Sequence, residues 1–351
     1  MNPKVMIIYS RDIKTISKWM SACSKAKIEY TVNDIFDRDW LRKITESNPN
    51  VLLLRPPGAI EQEKNLYDEK IYILSKILGY FTFPSYEECI IYENKKMLSY
   101  YLEANKIPHP KSWMINHHKD SMEFVRNVKY PIVFKSSIGA SGSGVVIAKN
   151  CSEAKQYINR AFSNKGIPVR IGPNRVTGSP LSWLKKAVKS PRYCKQRLSE
   201  YRERSKNRSK NYVIIQEYIP HDFEWRVAKI GKSYFAHKKI KIKDKCSGTK
   251  GIDYVTPPEE LLNFVKDISE KNNILSAAFD LFEYQGSYLV NEIQAIFGHV
   301  QDHICEFNGK PGRYLYKDNQ WIFEEGNFNT NESYDLRLEV AIDLYKEVNP
   351  N

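Results

Sequence analysis

The stretch Ala277–Gly298, AAFDLFEYQGSYLVNEIQAIFG, decides how the rest of the chain is read. Two apolar, partly alternating runs flank Gln285-Gly286, which predicts a β-hairpin turning there. Asp280 lies on the outgoing strand, and Glu292 and Gln294 lie on the returning one. Residues two apart on a strand share a face, so Glu292 and Gln294 point together and Asp280 pairs across from them. Two carboxylates and an amide oxygen on one face are costly without a cation. An oxygen-only set suits Mg²⁺ held together with nucleotide phosphates. The bland alternative is the ordinary solvent face of an amphipathic hairpin.

A second stretch, Phe134–Ile147 (FKSSIGASGSGVVI), puts three glycines and four serines between two apolar β-forming runs. It is not a P-loop, because Val145-Val146 stand where a Lys and a hydroxyl would follow the last glycine. It is not a dinucleotide turn either, because a strand follows it where a helix would open. Gly139, Gly142 and Gly144 therefore sit at the tip of a hairpin. Bare backbone N–H groups there can wrap phosphate oxygens, Ser141 and Ser143 can add hydroxyl donors, and Lys135 stands just ahead on the incoming strand. An ordinary flexible hairpin reads the same way. Between the two stretches, VIIQEYIP (213–220) is an apolar strand whose end can present backbone amides to an adenine edge while Glu217 accepts from its amino group.

Around these segments, residues 1–92 alternate strand-like and helix-like patterns, which predicts an open, mostly parallel α/β layer. KVMIIYS, IEYTVND and NVLLLRPPG read as its strands. No GxGxxG follows the first of them. Residues 92–110 read as an amphipathic helix with Met97, Tyr100, Tyr101 and Ala104 on its apolar face, stopped at Ile107-Pro108. A helix PPEELLNFVKDISEKNNI (257–274) opened by prolines and acids, the hairpin at Asp318-Asn319 and a last helix capped near Asn331 or Ser333 complete the pattern.

The chain has 351 residues, 54 Lys+Arg against 41 Asp+Glu, and a net charge of +13. Between Arg160 and Lys210 stand 15 basic residues and two acids, while the remainder carries 39 of each sign. The excess positive charge is thus one block, either a self-repelling solvated segment or a landing surface for a polyanion. Six cysteines show no CxxC pair and no His partner at ligand spacing, which argues against zinc and disulfides and for a reducing cytoplasm. No apolar run approaches the ~20 residues of a membrane-spanning helix. The histidines His117, His118, His221, His237, His299 and His303 and the thiol of Cys246 read as packed or exposed groups, not ligands or nucleophiles.

In this order, four segments resemble the ATP-grasp superfamily from about Glu93 to Phe297. NKKMLSYYLEANKIPHPKS resembles its lysine-bearing helix, and YPIVFKSSIGASGSGV its strand, lysine and phosphate flap. VIIQEYIPHDFEWRV resembles its hinge, and the hairpin at 277–298 its magnesium-binding pair of strands. The glutathione-synthetase-like and ribosomal-protein glutamate ligase branches are the nearest in pattern. The resemblance implies an α/β (α+β) ATP-grasp fold: an N-terminal pre-ATP-grasp layer over 1–92, a small lobe over 93–225 with the flap and the basic insertion 160–210, and a large lobe over 226–351. It implies that Lys95 and Lys135 contact the nucleotide phosphates under a flap containing Ser141, Gly142, Ser143 and Gly144. Glu217 with Tyr218 and Ile219 would hold adenine, and Glu224 the ribose. Arg226 and Lys239 would face the transferred phosphoryl. Asp280, Glu292 and Gln294 would bind one or two Mg²⁺, with Mn²⁺ a workable substitute. The loop CSGTKG (246–251) resembles the segment that closes over the triphosphate. Gln294 replaces the usual Asn, and AIFGH the usual small-Pro-Gly turn.

The implied reaction is ATP-dependent: a carboxylate is phosphorylated, an amine attacks the acyl-phosphate, and an amide forms with release of ADP and phosphate. Resemblance to ATP-grasp proteins of surface-polysaccharide pathways implies a uronic-acid-containing glycan or a sugar-diphosphate carrier bound by 160–210, at the inner face of a membrane. The alternating aromatics Tyr314, Tyr316, Trp321 and Phe323 fit a sugar-binding strand or a half-buried one. The rival readings are an ATP-gated polyanion-binding protein and a phosphotransferase without ligation. Nucleic acid is a less favoured partner, and a homodimer is compatible with the sequence.

Overall fold

The computed structural model describes residues 3–138, 144–168, 208–242, 245–246, 251–298 and 303–350. Strands β1 (Val5–Tyr9), β2 (Tyr30–Asp34), β3 (Val51–Leu54) and β4 (Phe81–Phe83) form a parallel sheet in the order β2-β1-β3-β4. Between them run α1 (Ser17–Lys25), α2 (Trp40–Ser47) and α3 (Glu61–Tyr72). Parallel strands covered on both faces read as unbroken apolar runs, which is why Val51–Leu54 is buried throughout. Met6, Ile8, Leu52 and Leu54 meet Ile44, Tyr67 and Ile71 on one face. On the other, Val5, Ile7, Val51 and Leu53 meet Trp19 and Phe83.

After α4 (Tyr86–Ile91) comes α5 (Lys95–Ala104), capped by the Asn94 side chain, which accepts from the Met97 N–H. It is shorter than the span expected from 92, and its buried positions are Leu98 and Leu102. Tyr100, placed on the apolar face by its spacing, is 45% exposed. A second sheet pairs β5 (Ser112–Ile115), β6 (Ile132–Lys135), β7 (Val145–Ala148) and β8 (Val213–Glu217) antiparallel in the order β5-β8-β6-β7. The helices α6 (His118–Asn127) and α7 (Cys151–Ala161) pack on the face holding Phe134, Val213 and Ile215, which sends Lys135 to the opposite face.

The third sheet holds the hairpin. Strands β9 (Phe223–Ile230), β10 (Ser233–Ile242), β11 (Ser276–Tyr284) and β12 (Ser287–Gln294) run in the order β12-β11-β9-β10. A second hairpin, β13 (Lys310–Lys317) and β14 (Gln320–Glu325), joins at β10. Both expected turns are made with left-handed residue pairs, Gln285 (φ 51°) with Gly286 (φ 73°) and Asp318 (φ 51°) with Asn319 (φ 62°). α8 (Glu259–Lys271) buries Leu261, Leu262 and Val265 against this sheet. Tyr314 is buried in the same core, with Trp321 and Phe323 packed against it. Three of the four aromatics considered for a sugar-binding strand are therefore occupied by packing.

The last helix, α9 (Tyr334–Val348), covers the N-terminal sheet: Tyr334, Leu338, Ala341 and Ile342 join the cluster around Trp19. Ser333 precedes it in the left-handed region and gives no side-chain cap, because its hydroxyl donates to Asn329 Oδ1. The small sheet ends at Glu217 and the large one begins at Phe223, so a division at 225 would fall inside β9. We place that proposed boundary in the connection 218–222 and keep the one at 92.

Candidate active site

Strand register assembles the site. Glu224 pairs with Lys239, and Arg226 pairs with Asp280 on the neighbouring strand, so all four reach one face of the third sheet. Arg226 grips Asp280 with two parallel bonds, Nε to Oδ1 at 2.8 Å and Nη2 to Oδ2 at 2.9 Å. Its Nη2 also donates to Gln294 Oε1 at 3.2 Å, so the longer glutamine arm turns toward the cluster. Lys239 Nζ lies 2.7 Å from both Asp280 Oδ2 and Glu224 Oε2. Burial opposes the Asp280 charge, but Arg226 and Lys239 outweigh it and hold the carboxyl well below the usual range.

The expected face-sharing is modified by a β-bulge. Asp280 pairs with Glu292 and Leu281 with Val290, which leaves Asn291 as the extra residue. The bulge turns Asn291 into the site beside Glu292. Its Nδ2 donates to Glu224 Oε1 at 3.0 Å, and its Oδ1 accepts from Lys135 Nζ at 2.9 Å. Lys135 comes from the second sheet, so this amide ties the two sheets together. Burial, and then the charge of Lys95, push the Lys135 ammonium down to about 8 against the pull of Glu292 and Glu224.

Lys95 opens α5 with its ammonium 3.7 Å from Glu292 Oε1. Its N–H donates to Ser137 O at 2.8 Å, and Asn94 bridges to Ile138, which fastens the helix start to the flap base. Gly144 closes that base at φ +90°, with its carbonyl accepting from the Ser136 N–H at 2.9 Å. A Cβ there would come 2.0 Å from Ser136 Oγ, so only glycine fits. Ser141, Gly142 and Ser143 lie outside the described residues, as do 247–250 of the loop expected over the triphosphate, His299, and 169–207 of the basic block.

Glu217 stands apart from this cluster. Residue 217 shares the helix-covered face of its sheet, and its Oε1 accepts from the Lys111 N–H at 2.7 Å. Its own N–H donates to Lys111 O. It lines a cavity of about 660 Å³ with Trp113, Phe124 and Lys129. Tyr218 and Ile219 follow it in the connection to β9. His221 Nδ1 lies 2.7 Å from Ile219 O, and the ring packs on Phe282. Ligand atoms of His221, Glu224 and Cys246 fall within 4.8 Å of one another, a proximity the sequence did not indicate. The five described cysteines are free.

Sequence patterning missed two residues. Strict alternation puts Asn291 on the face opposite Glu292 and Gln294, and the bulge, which sets Glu292 across from Asp280, lets Asn291 reach the site beside it. Glu93 precedes α5 at φ 51° and is 5% exposed, and its Oε2 is buried without a hydrogen-bond partner. Burial and then the Glu292 charge push its carboxyl up to about 7, with Lys95 and Arg226 opposing. For Mg²⁺ the donor chemistry fits: Asp280, Glu292 and Gln294 are oxygen ligands, those of Asp280 and Gln294 shared with Arg226, and Glu93 adds a buried carboxylate oxygen without a hydrogen-bond partner.

Comparison with known proteins bears on the fold. Residues 93–169 match the RimK-like ATP-grasp domain. No curated protein sequence matches the chain. Among solved structures, a RimK domain ATP-grasp protein from Sphaerobacter thermophilus superposes with TM-score 0.51 at 13% identity, covering 83% of this chain and 90% of that one. D-alanine–D-alanine ligase from Bacillus anthracis complexed with ATP gives 0.54 at 13% identity over 99% of both chains. The N5-carboxyaminoimidazole synthase of Aspergillus clavatus, in complex with ADP and 5-aminoimidazole ribonucleotide, gives 0.55 at 10% identity over 97% of this chain and 77% of that one. The chain has the ATP-grasp fold, with an N-terminal parallel α/β sheet and two antiparallel sheets around the site. Among the described residues no helix is long and apolar enough to cross a membrane.

Proposed function

We propose that this chain is an ADP-forming, ATP-dependent carboxylate–amine ligase. The observation that carries the reading is the unbroken polar chain from Lys135 through Asn291, Glu224, Lys239, Asp280 and Arg226 to Gln294, which spans the two sheets with alternating charge. Such a pre-organised array suits phosphoryl transfer, where catalysis is mostly positioning and charge neutralisation. Lys95 and Lys135 would bind the phosphates, Glu224 the ribose, and the amides of Tyr218 and Ile219 the adenine, with Glu217 at the hinge. Arg226 and Lys239 would face the transferred group, and the flap containing Ser141, Gly142, Ser143 and Gly144 would exclude water. Mg²⁺ on Asp280, Glu292 and Gln294 would neutralise phosphate charge, with Mn²⁺ able to replace it.

In the proposed reaction a substrate carboxylate oxygen attacks the γ-phosphorus, and the bond to the ADP oxygen breaks. An amine then attacks the acyl carbon, phosphate departs with the bonding pair, and the amine proton is lost to solvent or phosphate. The acceptor is proposed as a small carboxylate; a uronic-acid unit is the form suggested by the basic block. The purified protein should be assayed for ADP release across amino acids crossed with uronic acids, with hydroxylamine as the trapping amine. ADP formation that needs both a carboxylate and an amine, and disappears in Glu292→Ala, supports the ligase. Release that no pair raises above background overturns it. Salt-sensitive polyanion binding that survives Glu292→Ala favours the rival binding protein.

A further inference from the structure

The buried carboxylates of this chain allow a comparison. Glu88, 1% exposed, has both oxygens engaged, Oε1 by the Ser276 N–H at 2.6 Å and Oε2 by the Ser85 N–H at 2.8 Å. Asp68 is paired with Lys64, Glu224 with Lys239 and Asn291, and Asp280 with Arg226 and Lys239. Among the described residues Glu93 alone keeps a buried carboxylate oxygen without a partner. A structural glutamate in this protein looks like Glu88. Glu93 looks like a residue waiting for a cation, since an unpaired buried charge is expensive.

Two further features show that the fold accommodates Glu93 at a cost. Its backbone is left-handed, a strained conformation for a residue other than glycine. Gly58, in the Pro-Pro-Gly turn after β3, leaves room for its side chain; a Cβ at position 58 would come 2.8 Å from Glu93 Cγ. Its chain neighbours place it at this end of the site: the Lys95 ammonium lies 3.7 Å from Glu292 Oε1, and Tyr92 packs with Ala295 and Ile296 just beyond Gln294.

The metal set of the hairpin, taken alone, is short of free negative charge. Both Asp280 oxygens already accept from Arg226, and Oδ2 also from Lys239, while Gln294 is neutral and shares its oxygen with Arg226. Glu292 is the remaining carboxylate of that set, with the Lys95 ammonium 3.7 Å from its Oε1. We propose that Glu93 supplies the missing oxygen, holding a second divalent cation jointly with Glu292 beside the nucleotide phosphates. The inference rests on the ATP-binding reading of the site and extends it by a ligand outside the hairpin.

The test counts Mn²⁺ by electron paramagnetic resonance on the purified full chain with a non-hydrolysable ATP analogue. Thermal unfolding is followed with and without the metal. The wild type should hold two Mn²⁺ and Glu93→Gln one. Without metal, Glu93→Gln should melt no lower than the wild type, because a buried unpaired charge has been removed, and its gain in Tm on adding Mn²⁺ and nucleotide should shrink. Glu93→Asp, which keeps the charge on a shorter arm, should retain the second Mn²⁺ about 10-fold more weakly. Equal Mn²⁺ counts in wild type and Glu93→Gln, or one Mn²⁺ in the wild type, overturn the inference alone. A wild type that binds no nucleotide with Mn²⁺ overturns the functional reading and the inference with it.

Discussion

Lys135 and Asn291 are 156 residues apart in sequence, yet the ammonium of one donates to the amide oxygen of the other at 2.9 Å. This bond joins the second sheet to the third. It also fixes the amide's orientation, because the other end of Asn291 must then donate to Glu224. Replacing Asn291 with Ala should leave the fold intact, since the residue is only part-buried. It releases Lys135 and leaves Glu224 held by Lys239 alone. Losing two charge-assisted hydrogen bonds of roughly 1.5 kcal/mol each should weaken nucleotide binding by about 10- to 100-fold. Calorimetric titration with an ATP analogue measures this, and an unchanged Kd would show that the bridge does not organise the site.

Lys135 also sets a pH dependence. Its folded value near 8 lies below the ordinary lysine value of about 10.5, so the folded chain binds fewer protons than the unfolded one between those limits. The apo protein should therefore gain stability as pH rises from about 8 to 10.5, and carry the full cost of this charge below 8. Nucleotide phosphates favour the protonated ammonium, so binding above pH 8 must take up a proton. Affinity should fall as pH rises from 8 to 9. Titrations in buffers of different ionisation enthalpy should report the uptake, and Lys135→Arg should abolish it.

Asp280 carries a structural burden as well as a proposed metal-binding one. It is 2% exposed and is the shared partner of Arg226 and Lys239. Asp280→Ala would strand two buried cations, and breaking a buried pair this way costs about 3–5 kcal/mol. Denaturant unfolding should show that loss. Asp280→Asn keeps the shape and should cost less, while still removing Mn²⁺ from the hairpin. A small stability change in the alanine variant would mean that water reaches the cluster.

How much of this was legible in advance depends on the range of the interaction. The hairpin and its turn at Gln285-Gly286 were readable, but an unbroken two-residue hairpin would pair Asp280 with Asn291, and it is the bulge that sets Asp280 across from Glu292. The bulge was not readable, because one extra residue in a strand leaves no mark in an alternating pattern, and the places of both Glu292 and Asn291 depend on it. The face of α5 was misplaced, since Tyr100 and Ala104 stand four apart just as Leu98 and Leu102 do, and only the packing partner decides between them. α9 was recognisable as a helix, but nothing local shows that it covers a sheet made by the first 83 residues. Glu93 resembled one more polar residue before a helix. Its significance lies in an absent hydrogen bond, which no sequence displays.

The base of the flap offers the last test. Gly144 sits at φ +90° directly against Ser136, and its carbonyl accepts from the Ser136 N–H. Gly144→Ala would add a left-handed strain of about 1–2 kcal/mol and drive a methyl group into the Ser136 hydroxyl, so this hairpin end must open. Ser136→Gly removes the clashing side chain but leaves the φ penalty in place. If the closed base matters for nucleotide binding, Gly144→Ala should raise the KM for ATP at least about 10-fold and make the segment around 136–145 more sensitive to protease. The double variant Ser136→Gly/Gly144→Ala should recover part of the affinity, because the steric term is relieved and only the conformational one remains. An unchanged KM in Gly144→Ala would show that the flap closes without this contact.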